Sequence, residues 1–256
     1  MSDPSRKREQ YFSTHNEISR PVQRHLVYVY LVLAAMLGLA AYGSIAETPG
    51  MLATSGGTVE TGIVLGSALG IRHLDRSSIW RWVLLGTYAL FSGMSLSTLI
   101  SVYMYWDPSG NLLFSALAAT MFIFLGFSVS AMLANRRSML YVGGLAASLL
   151  GILLWSSLAN ILFIRSDAMF SAELYMGLIA FSGFVVYDTQ RIIERASSGI
   201  LDIPGHALHL FMDLFAVFVR LALIFLRKDE ERQRKRRGDD RRDGRRGTGG
   251  GSFQRW

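Results

Sequence analysis

The chain has 256 residues, 51% of them hydrophobic, and a formal net charge of +7. It contains no cysteine, which excludes disulfides, thiolate metal sites and cysteine nucleophiles. The excess charge is a terminal effect, because residues from Arg227 onward supply 12 of the 26 Lys and Arg. What remains is a series of apolar runs about 20 residues long, the length that crosses a hydrocarbon core of roughly 30 Å. The pattern predicts an all-α integral membrane protein with no separate soluble domain. The first run is long enough to span and follows a polar stretch, so it reads as a retained anchor rather than a cleaved leader.

In chain order, residues 1–25 form a polar segment carrying Arg6, Lys7, Arg8, Arg20 and Arg24. Leu26–Ala46 is uncharged and is the first expected span. Leu52–Ile71 is less apolar and contains Glu60. Its Gly62, Gly66 and Gly70 recur at four-residue spacing, a small-residue face that predicts close packing inside a bundle. The island from Arg72 to Arg76 ends it. Ile79–Tyr105 follows, with Trp80, Trp82, Tyr103, Tyr105 and Trp106 as interfacial anchors. Asp107-Pro108-Ser109-Gly110 is a turn. Leu112–Ala134 and Met139–Ile164 are the fourth and fifth spans, separated by the basic stop Asn135-Arg136-Arg137. Leu174–Tyr187 runs on into Asp188-Thr189-Gln190-Arg191 as the sixth. His206–Leu226 is a seventh, semi-hydrophobic segment after a break rich in Ser, Gly and Pro. Residues 227–256 alternate basic and acidic side chains before turning glycine-rich, which predicts a disordered tail.

Basic residues concentrate in alternate connections, and this places the N-terminus in the cytosol. Six crossings return the chain to the cytosol. A seventh would export the most basic stretch of the protein, so a strict charge reading has His206–Leu226 dip into the membrane and return.

Asp188 and Asp213 are the informative acids. A charge at membrane depth costs roughly 2.5 kcal/mol or more, so such residues face the bundle interior and mark a pathway. On a helix of 100° per residue, His206, His209, Asp213 and Arg220 fall within about 60° of one another. Gly177, Phe181, Phe184, Asp188, Arg191 and Arg195 share a face of the sixth span, whereas Gly183 lies on a different side. Two carboxylates brought together in such a place cannot both ionise cheaply and would share a proton. Protonated, the pair can hydrogen-bond across helices; deprotonated, it attracts a divalent cation. Asp188 could equally sit at the cytosolic interface and pair with Arg191. His206 and His209 lack a third nitrogen or sulfur ligand and read as interfacial. Glu60 reads as facing the lumenal interface, with a cavity as the alternative. Arg220 is expected to snorkel toward the surface. No phosphate loop, metalloprotease helix or nucleophile elbow is present.

Gly183-Phe184-Val185-Val186-Tyr187-Asp188-Thr189-Gln190-Arg191-Ile192-Ile193 resembles the hallmark stretch of the Bax inhibitor-1 family. Leu210-Phe211-Met212-Asp213-Leu214-Phe215 with Val219-Arg220-Leu221 resembles its final helix. Arg136-Arg137-Ser138 before Gly143-Gly144, Ser156-Ser157-Leu158-Ala159-Asn160, and Arg81 preceding Gly93 are further matches, and the likeness runs from about residue 20 to 226. The resemblance implies a seven-helix bundle with the semi-hydrophobic last helix at its centre. It implies a proton-sensing pair at Asp188 and Asp213 that handles calcium transiently, in a pH-sensitive calcium leak of the endoplasmic reticulum membrane that suppresses apoptosis. Calcium would be the permeant ion and no cofactor is implied. The partners would be membrane lipids, protons, calcium and cell-death regulators of the Bcl-2 family, with no nucleic acid. The resemblance also implies an arginine latch on the second helix, but no arginine lies inside that span; Arg72 and Arg81 are nearest. His209 stands where some relatives carry an acid, and the tail is unlike the lysine-rich animal type. Two other readings remain: a scaffold acting through protein contacts without flux, and an intramembrane aspartyl protease. For the protease, Tyr187-Asp188 matches one motif, but Asp213 lacks the glycines of the other, so no enzyme activity is expected.

Overall fold

Long runs of Leu, Ala and Val satisfy their backbone hydrogen bonds within the segment, the condition for a chain surrounded by hydrocarbon. A computed structural model describes residues 19–45, 58–134 and 139–248, and among them the regular structure is entirely helical. The elements are α1 (Arg20–Ile45), α2 (Thr58–His73), α3 (Trp80–Ser95), α4 (Ser97–Trp106), α5 (Asn111–Leu133), α6 (Met139–Ala159), α7 (Asp167–Ser197) and α8 (Ile203–Thr248). A π turn at Asn160–Ile164 extends α6. Arg6, Lys7, Arg8, the start of the expected second span at 52–57, Arg136-Arg137-Ser138 and residues 249–256 lie outside the described residues.

Six segments are long and apolar enough to cross a membrane: α1, α3 with α4, α5, α6 with its π turn, α7 and α8. Phe114, Phe122, Trp155 and Phe163 are among the many large apolar side chains left exposed. A soluble surface would not carry so much apolar area; lipid accepts it. The chain is a multi-pass membrane protein. Within it, α2 has 16 residues, about 24 Å of helix, and packs mainly on α3.

The last helix is the axis of the bundle. In α8, 56% of the apolar window is buried, against 11–33% in the other five spans. Ala207, Leu210, Phe211, Val217 and Ala222 are completely enclosed, packed chiefly by α1, α5 and α7. Being wrapped by protein is what lets this helix carry polar side chains.

One expectation for this segment is corrected. It does not dip and return, for α8 is one uninterrupted helix. Its first turn meets the start of α1 through His206 and His25. Twenty-one residues on, Arg227 reaches the start of α7, donating to Ser171 Oγ at 2.7 Å. It therefore traverses the bundle from end to end. Helix α8 continues past Arg227 to Thr248. Arg, Lys and Glu are good helix formers, Gln233 bonds Asp229 one turn back at 2.8 Å, and Arg227 stacks on Phe170.

The small-residue packing is also corrected. Gly62 and Gly66 are exposed and have nothing near the position of a Cβ. The close approach lies instead between α1 and α3, where a Cβ on Gly93 would fall 1.9 Å from the Ala40 carbonyl oxygen and one on Gly43 2.3 Å from that of Leu90. The reason is directional: α2 turns Gly62 and Gly66 outward, and of its three glycines Gly70 alone meets α3, where a Cβ would fall 2.7 Å from Leu84 Cδ1.

A polar clamp closes one end. Arg81, at the start of α3, donates from both Nη atoms to the two oxygens of Asp202 at 2.8 Å. Its Nε donates to the Ile71 carbonyl of α2 at 2.9 Å. Asp202 is also the N-cap of α8, accepting from the Gly205 amide at 3.1 Å. Three helices meet in this one network. Burial pushes the Asp202 carboxyl up, but the Arg81 guanidinium and the Gly205 amide outweigh it, so the group is held below the usual carboxylate range.

Gly93→Ala should destabilise the detergent-solubilised protein by roughly 1–3 kcal/mol through overpacking, while Gly66→Ala leaves thermal unfolding unchanged or slightly raised. Asp202→Asn should cost about 3 kcal/mol, since Arg81 is left buried without its counter-ion. Because the folded carboxyl titrates lower than the unfolded one, the clamp's contribution is present above the ordinary carboxylate range and disappears as pH falls through the lower folded value. A melting-temperature series across that acid range should show the loss in the native protein and its absence in Asp202→Asn.

Candidate functional site

Helix α7 brings its conspicuous residues to α8 by sequence spacing and small-residue relief. Arg220 of α8 lies over the Phe181 ring at 4.2 Å. A Cβ on Gly177 would sit 2.2 Å from Arg220 Nε, so the glycine provides the slot that receives the side chain. Arg220 Nη1 donates to the Ala216 carbonyl at 3.1 Å. The expected snorkelling is thus corrected: this arginine turns inward, held by an aromatic face and a helix carbonyl.

Two turns toward the other end of the same face, Asp188 and Asp213 meet. The two carboxyl groups lie within interaction range of each other, and both residues are buried, Asp188 8% and Asp213 5% exposed. Two carboxyl groups can share a hydrogen bond only when one of them keeps a proton. Oδ2 of Asp213 is buried with no partner among the described residues. Asp188 has two further neighbours, Arg191 Nη1 at 3.9 Å and His209 Nδ1 at 3.8 Å. It therefore contacts Arg191, the neighbour of the interfacial alternative, while facing the core. Phe181, Phe184 and Tyr187 form a chain of ring contacts spaced 6.0 and 6.4 Å along α7.

The residues after Asp188 fix α7 in place. Thr189 is completely buried and lies 3.5 Å from Ser128 of α5. Gln190 donates to the carbonyls of Ala131 and Ala134, the latter at 3.1 Å, taking up acceptors left free at the C-terminal end of α5. The Asp-Thr-Gln run thus combines one inward acid with two side chains that lock its helix against a neighbour.

The histidines separate. His206, in the first turn of α8, is 2% exposed and turned into the protein. It bonds His25 of α1, Nδ1 to Nε2 at 2.8 Å, and the rings meet edge to face. His209 is partly exposed beside Asp188. Glu60 is buried in the first turn of α2, away from the pair, and its Oε2 lacks a partner among the described residues. Arg72 is exposed at the end of α2, and Arg81 is committed to Asp202. Neither arginine contacts Asp188 or Asp213 through an ion pair.

Sequence reasoning missed three residues of this region. Asp202 carried a capping signal, an acid directly before Ile203-Pro204 at a helix start. His25 carried none, since its partner is 181 positions away. Glu173, near the start of α7, accepts from Ser156 Oγ at 2.6 Å and Ser157 Oγ at 2.8 Å. The paired serines were visible, but the acid they bind was not. Among the described residues no group of three or more His, Asp or Glu is arranged to hold a metal ion. Two carboxyls fall far short of the six to eight oxygens of a resident calcium site.

The family described as "Inhibitor of apoptosis-promoting Bax1" matches residues 22–230. Bax inhibitor 1 of Arabidopsis thaliana is 40% identical over 237 residues, covering 91% of this chain and 93% of that protein. Bax inhibitor 1 of Oryza sativa subsp. japonica is also 40% identical, over 86% of this chain and 89% of its own length. Human Bax inhibitor 1 is 32% identical over 87% of this chain and 93% of its length. The match spans α1 to the start of the basic extension and includes both acid-bearing helices; the chain belongs to the Bax inhibitor-1 family.

Proposed function

We propose that this protein is a pH-sensitive calcium leak of the endoplasmic reticulum membrane that suppresses apoptosis, with Asp188 and Asp213 as its proton switch. The observation that carries the reading is the meeting of two buried carboxyls on the two helices α7 and α8. With one proton between them they bridge the helices, and the axis stays locked to its neighbour. When that proton leaves, the two charges repel in a site of low dielectric, and Asp213 Oδ2 is already free to face a cation. The switch is therefore closed when protonated and opens as pH rises. No resident cofactor enters this scheme, calcium is the cargo, and no catalytic step is proposed.

The names of the relatives support the link to cell death. The alternation of basic connections supports a cytosolic N-terminus. One end of the bundle collects the starts of α1, α3 and α8 with the ends of α2 and α7, where Arg72, Arg76, Arg191 and Arg195 gather. In this arrangement the traversing α8 delivers its basic extension to the opposite side. The competing scaffold reading rests on that extension, which continues as helix beyond the bundle.

Liposomes loaded with calcium and carrying the purified protein should release it faster as pH increases. Asp213→Asn, which mimics the protonated carboxyl, should remain slow at every pH, and a variant that keeps the native pH profile would remove the switch. Truncation after Leu226 separates the two readings. A leak retains its flux, whereas a scaffold loses its bound partners with no change in ion release.

A further inference from the structure

Beside the acid pair, at the clamped end of the bundle, lies a cavity of about 380 Å³, within the range of small-molecule sites of roughly 300–1,000 Å³. Its walls carry five arginines against two aspartates, Asp75 and Asp202. Arg81 is consumed by Asp202, and Arg191 leans toward Asp188. Arg72, Arg76 and Arg195 form no ion pair among the described residues. They come from the end of α2, the connection after it and the end of α7, so three separate segments aim positive charge at one volume. A cation pathway gains nothing from this arrangement, and a stability argument does not explain it, since like charges held together repel.

His206 also lines the cavity, but its Nδ1 is committed to His25 of α1 and its Nε2 is buried, so the recognition chemistry on offer is that of the guanidiniums. Guanidinium is suited to planar, two-point recognition of phosphate oxygens. A monocarboxylate would satisfy one arginine; three arginines in separate segments call for an anion with several charged oxygens. Trp80 and Trp82, neighbours of Arg81 in sequence, are exposed, as expected of side chains at headgroup level.

We propose that this cavity is a binding site for a multiply phosphorylated anion, held by Arg72, Arg76 and Arg195. The ligand chemistry is a diphosphate or a phosphorylated inositol, supplied either as a lipid headgroup or as a soluble molecule. The site stands independently of any calcium flux, because its occupancy can be measured directly.

The test is calorimetric titration of inorganic pyrophosphate into the full chain in phosphatidylcholine nanodiscs without calcium. Saturable binding is expected. Arg72→Gln and Arg76→Gln, both at exposed positions, should each weaken it about threefold to tenfold, and the variant combining them with Arg195→Gln should abolish it. Repeating the titration in nanodiscs doped with phosphatidylinositol 4-phosphate identifies the source. A weaker apparent affinity means that the headgroup competes for the cavity, and an unchanged one means that a soluble anion is the occupant; either result supports the site. Absence of saturable binding, an affinity unaffected by the single and combined substitutions, or binding lost on removing residues 228–256 would overturn it.

Discussion

A carboxyl carried by an apolar helix cannot face hydrocarbon, and Asp213 meets that constraint by residing on the helix that every major neighbour wraps. Much else in the architecture serves this placement. Helices α1, α5 and α7 bury the faces of α8 that lipid would otherwise solvate, and Asp188 supplies the partner that a buried acid needs. The same requirement accounts for Arg220, which finds a ring face, a slot over glycine and a helix carbonyl instead of water. A polar stripe that would be prohibitive on a peripheral span is tolerated at the axis, because the groups it must meet are protein.

The ends of the axis are held by different chemistry from its middle. At one end Arg81, Asp202 and the carbonyl of Ile71 join the last helix to α2 and α3. At the other end Arg227 ties it to the start of α7. Between them the contacts are mainly apolar, with the two carboxyls as an exception. Between its pinned ends the helix meets α7 through two titratable contacts, Asp213 and His209 each with Asp188. Under the proposed switch, breaking the carboxyl contact would loosen α7 from α8 locally while the clamps preserve the bundle.

The charge distribution around the pair is uneven. Acids face one another in the interior, while the adjoining cavity is dominated by arginine. Arg191 belongs to both regions, lying near Asp188 and lining the cavity, and His209 does the same. Any anion held in the cavity would lower the positive potential felt by the acid pair and so disfavour ionisation there. An occupied cavity would therefore act on the acid pair through proximity.

Residue order alone determined the helical class, the approximate spans and the two acids, because hydropathy, length and the cost of buried charge are local properties. Resemblance also supplied the central position of the last helix. Pairings between distant segments required the tertiary structure. His25 finds His206, Arg81 finds Asp202, and Glu173 finds Ser156 and Ser157 only when helices far apart in the chain are set side by side. The glycine spacing in α2 marked a possible contact face, yet only Gly70 of it meets a neighbour closely and the tightest backbone approach used Gly43 and Gly93, since a periodic face says nothing about which way it turns. The course of the last helix was likewise decided in three dimensions. A count of basic residues favours a segment that dips and returns, whereas the structure runs it uninterrupted along the bundle axis.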